Sequence, residues 1–276
     1  MIKSFKKTAI AICFAMVLCL LLAGQAQANL MVAPLRVVFN DRDRSAVVTL
    51  INNSDKEATY EVGWALYRMN ENGSQTEVPM PDKADPFAVS EIVKFSPRQV
   101  RMEANGRQRV RLSLRRPPDL PAGEYRAHLI FSKLPDLSDL SPEQRVRGAR
   151  TMLRMKVSTG IPVIIRQGSG DGDGEVISAT LEKPSSANKF THGLAVEVKR
   201  TTPFSPYGRI RVYQKDASGK EQMVSFLNNV AIYPEIEKRR AVVPLKGPIQ
   251  GEVRVAYEGA TEYGGIIFDE KTFNIN

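Results

Sequence analysis

The chain is poor in the residues that carry most enzyme and metal chemistry. It holds 2 cysteines in 276 residues, Cys13 and Cys19, and both lie in the leading apolar stretch. Beyond that stretch a disulfide framework, a thiol nucleophile and a cysteine-held metal are excluded. Histidine is nearly as scarce, at 2. His128 falls inside an alternating stretch and His192 in a polar turn, and no motif ties either to a nucleophile. The carboxylates are scattered, so no general acid/base pair stands out. A phosphate cradle is missing too, because the glycine-rich run at 168–174, GSGDGDG, does not open a helix. Its two aspartates lack the spacing and the terminal glutamate of a calcium loop. The residues therefore predict no catalytic site, no cofactor and no metal.

Long apolar runs are absent except for one. Residues 9–23 are almost unbroken in hydrophobicity, are preceded by Lys3, Lys6 and Lys7, and are followed by Ala26-Gln27-Ala28. A basic start, a short apolar middle and a small-x-small ending describe an export leader of residues 1–28, shorter than a membrane anchor needs. The mature chain is expected to begin at Asn29, to be exported, and to carry no integral membrane segment. Loss of the leader's three lysines lowers the formal charge from +9 to +6. This surplus is spread along the chain without compact basic clusters interleaved with aromatics, so nucleic acid is not an expected partner.

What the sequence does have is a repeated short-strand rhythm. LRVVF, AVVTLIN, TYEVGWALYRM, QRVRLSLRR, YRAHLIFSKL and MLRMKVSTGIPVIIR alternate or are rich in β-branched residues, and Asn/Asp/Gly/Ser clusters separate them. About seven strands at this spacing predict a sandwich of the immunoglobulin kind. After residues 168–174, which have no side chains able to build a core, the rhythm resumes through GEVISATLEK, HGLAVEVKRT, YGRIRVYQK and their successors. The prediction is an all-β protein of two immunoglobulin-like sandwiches, residues 29–167 and 175–276, joined by a linker at 168–174.

The stretch at 151–166 is the most informative. Leu153, Met155, Val157, Thr159 and Ile161 alternate with Arg154, Lys156, Ser158 and Gly160, and a long polar connection precedes them. One apolar face along a rim strand invites pairing with another polypeptide, either by strand addition or by self-association of the free protein.

Taken together, several fragments resemble the periplasmic pilus-assembly chaperones of the chaperone/usher pathway, the PapD-like proteins. They are LRVVFNDRDRSAVVTLINNS, VRMEANGRQRVRLSL, LPAGEYRAHLIFSKLP and GIPVIIR in the first half, with TPFSPY, AIYPEIEKRRAVVPL and AYEGATEYGG in the second. The resemblance covers essentially all of 29–276. It implies an L-shaped pair of sandwiches in the periplasm that binds incomplete pilus or fimbrial subunits by donor-strand complementation and delivers them to an outer-membrane usher. Arg36, just before Val37-Val38-Phe39, matches the arginine that grips the subunit's C-terminal carboxylate, a task suited to a planar guanidinium. The family's second anchor, a lysine, falls on Pro162, with Gly160 two residues before it, so the two-cation grip is not reproduced by that strand. Leu153, Met155, Val157 and Ile161 match the donor residues. Glu103, Arg166 and Glu262 match a buried interdomain ion network. The long connection without a cysteine pair implies a divergent or archaic-type branch. A different class, an exported adhesin or glycan-binding module, would need exposed loop aromatics, whereas Trp64 lies in a strand pattern.

Overall fold

A computed structural model describes residues 30–80, 88–135, 157–182, 192–216 and 218–275, the side chain of Glu262 excepted. Apart from one helical turn at Val89–Ile92 and a 3₁₀ turn, the described residues are strands and their connections, built around two main cores. The first is enclosed by two sheets. One has the order β1 (Leu30–Ala33), β3 (Ser45–Asn52), β8 (Arg107–Leu114), β6 (Val93–Ser96). The other runs β2 (Val37–Phe39), β10 (Ser158–Gln167), β9 (Gly123–Lys133), β4 (Ala58–Met69), β5 (Gln75–Val78), and β7 (Gln99–Met102) also pairs with β4. The second core lies between β11 (Gly174–Glu182), β12 (His192–Arg200) and β15 (Lys238–Leu245) on one side, and a sheet of β14 (Glu221–Ala231), β13 (Tyr207–Lys215), β16 (Gly251–Gly259) and β17 (Ile267–Ile275) on the other.

Alternation explains most of this. On β8, Val110, Leu112 and Leu114 point inward while Arg107, Arg109 and Arg111 stay in solvent. They meet Val48 and Leu50 of β3, Leu129 and Phe131 of β9, and Phe39 of β2 in one cluster. Each such side chain contributes roughly 1.5–3 kcal/mol of burial. Asn52 is fully buried, and its amide donates to the carbonyls of Lys56 and Glu103 at 2.7 and 2.8 Å, so its desolvation is compensated. Trp64 packs edge-on against Phe95, with ring centroids 5.6 Å apart, at the margin of the same core. The second core is centred on Tyr257, whose hydroxyl donates to the Val230 carbonyl at 2.9 Å.

Strand β10 departs from alternation at Val163-Ile164-Ile165, where all three are buried. Val163 and Ile165 enter the first core, whereas Ile164 packs on the opposite face with Met69, Ala231 and Tyr233. The second sandwich thus covers the back of the first sandwich's sheet. The connection from Gln167 to Gly174 is tethered to both: the Gly168 amide donates to Asp41 at 3.1 Å, and a Cβ at Gly172 would stand 2.1 Å from the Ser205 carbonyl oxygen. Glycine at 172 is therefore required by close approach to the second sandwich.

Candidate functional site

Strand β10 is hydrogen-bonded along its whole length to β9, from Ser158 opposite Ser132 to Gln167 opposite Gly123. Its other edge is covered for only three residues, where β2 runs parallel to it with Val37, Val38 and Phe39 opposite Val163, Ile164 and Ile165. Among the described residues, the edge from Ser158 to Pro162 has no strand beside it. Val157, next in the apolar stripe, is 65% exposed. Leu153 and Met155 lie outside the described residues. Ile161 departs from expectation: at 2% exposure it belongs to the first core, because the odd-numbered face of β10 turns into the sandwich from that residue onward.

Arg36 stands where the uncovered edge stops, one residue before Val37 opposite Val163. It is 7% exposed, and its guanidinium lies 4.2 Å from the centroid of the Tyr207 ring of the second sandwich. A cavity of about 470 Å³ opens here between the two sandwiches, with Arg36, Gly160 and Pro162 on one wall and Tyr207, Tyr233 and Arg239 on another. Ser158, Gly160 and Pro162 line it from the even-numbered face of β10, opposite in parity to the apolar stripe. One face of the strand thus enters the first core from Ile161 onward, and the other lines the cavity.

Opposite Pro162 in the β9 register is His128, also on the cavity wall. Burial, reinforced by the neighbouring Arg126, pushes this imidazole down to about 4, so it is neutral at pH 7 and adds no positive charge to the cavity wall. Arg126 itself is engaged across the junction. It pairs with Glu235, donates to the Tyr67 carbonyl at 2.9 Å and stacks 3.7 Å from the Tyr233 ring centroid.

A buried ion pair lies at the junction, centred on Arg166. Arg166 is 4% exposed; its Nε lies 3.3 Å from Glu124, and its Nη2 donates to the Ser205 carbonyl at 2.9 Å and to the Tyr263 hydroxyl at 2.7 Å. Burial opposes its charge, yet Tyr263 and Glu124 outweigh that and hold the guanidinium above its ordinary value. Glu124 also accepts the Ser205 amide and hydroxyl, both at 2.9 Å. Glu103 is a correction. Its side chain is exposed in the turn after β7, where its carbonyl serves Asn52 and Gly106, and the carboxylate beside Arg166 is Glu124. Glu262 lies in a 3₁₀ turn, Thr261–Tyr263, and its side chain is outside the described residues. The glycine-rich aspartates are engaged within the fold, Asp171 at 3.8 Å from Arg166 and Asp173 accepting the Thr201 hydroxyl at 3.2 Å. Among the described residues no cluster of metal-ligating side chains occurs, and no helix is long and apolar enough to cross a membrane.

No curated protein matches the chain. Among solved structures it is similar to the YadV chaperone, with 15% identity, 89% of this chain and 100% of that chain covered, and a TM-score of 0.48. It is similar also to the CupB2 chaperone of Pseudomonas aeruginosa, at 15% identity, 89% and 100% coverage and a TM-score of 0.44. A third is the SafB chaperone of Salmonella enterica in complex with the SafA pilin, at 14%, 91%, 98% and 0.46. Residues 29–167, half of the chain, match the family described as pili and flagellar-assembly chaperone, PapD N-terminal domain. That span holds Arg36, the whole of β10 up to Gln167 and the buried Arg166–Glu124 pair, and the protein belongs to the family of PapD-type pili and flagellar-assembly chaperones.

Proposed function

We propose that the protein is a periplasmic chaperone that holds incomplete pilus subunits by donating a strand and passes them to an outer-membrane usher. The observation that carries this reading is the uncovered edge of β10 from Ser158 to Pro162, which stops at Arg36. A subunit strand added along that edge would gain backbone hydrogen bonds. To bring its last residue to Arg36 it would run from the Val157 end toward Pro162, parallel to β10. Its terminal carboxylate would then lie beside a largely desolvated guanidinium, where a charge-assisted pair is strongest. The donor side chains in this reading are Leu153, Met155 and Val157, while Ile161 remains in the chaperone's own core. The first sandwich, 29–167, supplies the binding edge; the second, 175–276, closes the cavity; and residues 1–28 direct export.

Co-expression of an Arg36→Ala variant with the subunit tests the anchor. Loss of the charge-assisted pair should lower the subunit recovered in periplasmic complex by at least about tenfold. The variant should remain folded with a modestly lower melting temperature, because the contact with Tyr207 is lost as well. Undiminished subunit recovery would remove Arg36 from the site.

A further inference from the structure

Building on the carboxylate-anchoring reading of Arg36, we infer that Arg239, contributed by the second sandwich, is the second cation of that site. Among the described residues β10 brings no cation to this cavity: Ser158, Gly160 and Pro162 line it, and Pro162 offers neither charge nor a backbone N–H. Of the other basic groups nearby, His128 is neutral and Arg126 is paired with Glu235. Arg239 lines the same cavity as Arg36, and among the described residues no aspartate or glutamate lines it with them. A concave, partly desolvated wall with two guanidinium groups and no carboxylate concentrates positive potential, which suits a terminal carboxylate.

The side chain is held in place without being satisfied. Arg239 Nη1 donates to the Ala231 carbonyl at 3.0 Å, while its Nε is buried with no hydrogen-bond partner among the described residues. Burial pulls this guanidinium below its ordinary value against the opposing influence of Tyr257 and Tyr233, so an incoming anion would relieve an existing cost. The turn between β4 and β5 is shaped around it. Gly73, at φ +80°, passes so close that a Cβ there would lie 2.6 Å from both Nε and Nη2 of Arg239. A side chain at that turn would displace the guanidinium. The first sandwich therefore presents a glycine where the second presents its arginine, and a carboxylate bound between Arg36 and Arg239 would be gripped from both.

The test uses the full mature chain and, as probe, N-acetyl-valyl-tyrosine with a free carboxylate, alongside its C-terminal amide. Binding is followed by NMR. The wild type should prefer the acid. Arg239→Gln should lose that preference by roughly tenfold, as expected for one charge-assisted hydrogen-bonding partner, while Arg239→Lys retains most of it. If Arg239→Gln keeps the wild-type preference and Arg36→Ala loses it, Arg239 is not in the site and the anchoring reading stands. If the wild type binds acid and amide equally, the anchoring reading itself fails. Should Arg239→Gln not fold, arginine Nε–Hε correlations of the wild type decide. Two buried arginine signals should shift with the acid and not with the amide, and a shift confined to Arg36 would overturn the inference.

Discussion

Substituting Met155→Glu and Val157→Glu together is expected to leave the chaperone folded and to deprive it of its subunit. Val157 is largely in solvent, so a charge there has no core to disrupt, and charged residues on a free edge are well tolerated. In a complex, each large apolar side chain seated in a subunit groove contributes roughly 1.5–3 kcal/mol, so losing two weakens binding by roughly a hundredfold to ten-thousandfold. The subunit should disappear from the periplasm by aggregation or proteolysis. Ile161→Glu supplies the contrast. That residue sits among Phe39, Leu129 and Val163 in the first core, and an unpaired charge there should unfold the sandwich. If the double variant unfolds like Ile161→Glu, the stripe belongs to the chaperone's own core throughout. If subunit yield is unaffected, the donated strand lies elsewhere.

The second large effect is expected at the junction. Arg166→Glu would set a carboxylate against Glu124, whose side chain is wholly buried, and would forfeit the donations to Ser205 and Tyr263. Breaking a buried ion pair from one side costs about 3–5 kcal/mol, and here repulsion is added to the loss. Thermal unfolding should shift down by several degrees or more, and X-ray scattering should report a changed angle between the sandwiches. Arg166→Met, which removes the charge without reversing it, should fall between the two. A melting curve and scattering profile like the wild type's would mean that Arg166 does not set the junction.

Where one face of a strand meets the core and the other meets water, the sequence was readable. β3, β4, β8 and β9 fall within a residue or two of the apolar alternation that predicts them. Leu30–Ala33 and Gln75–Val78 are not legible, because four-residue edge strands carry too few alternations to register. The larger gap concerns the junction. Glu124, Arg126 and His128 occupy every second position of β9, the pattern of a solvated face, yet the second sandwich covers that face and turns it into the site. Alternation distinguishes core from non-core but cannot tell water from a neighbouring domain. For the same reason the strand pattern does not show that Arg36 is buried, and Arg239 is lost among Lys238 and Arg240, which lie in solvent. The local motif points to Glu103, whereas the carboxylate at the junction comes from β9, the strand opposite Arg166 in the register.

The central claim is that β10 keeps its edge uncovered for a subunit strand ending at Arg36. Site-resolved amide hydrogen exchange, measured on the free chaperone and on its subunit complex, tests it most directly. In the free protein, amides between Ser158 and Ile161 that point away from β9 should exchange quickly, since nothing among the described residues covers them. In the complex those same amides should become protected by orders of magnitude, while those already bonded to β9 change little. Unchanged exchange along this edge, with new protection on another strand such as the edge strand β14, would contradict the account.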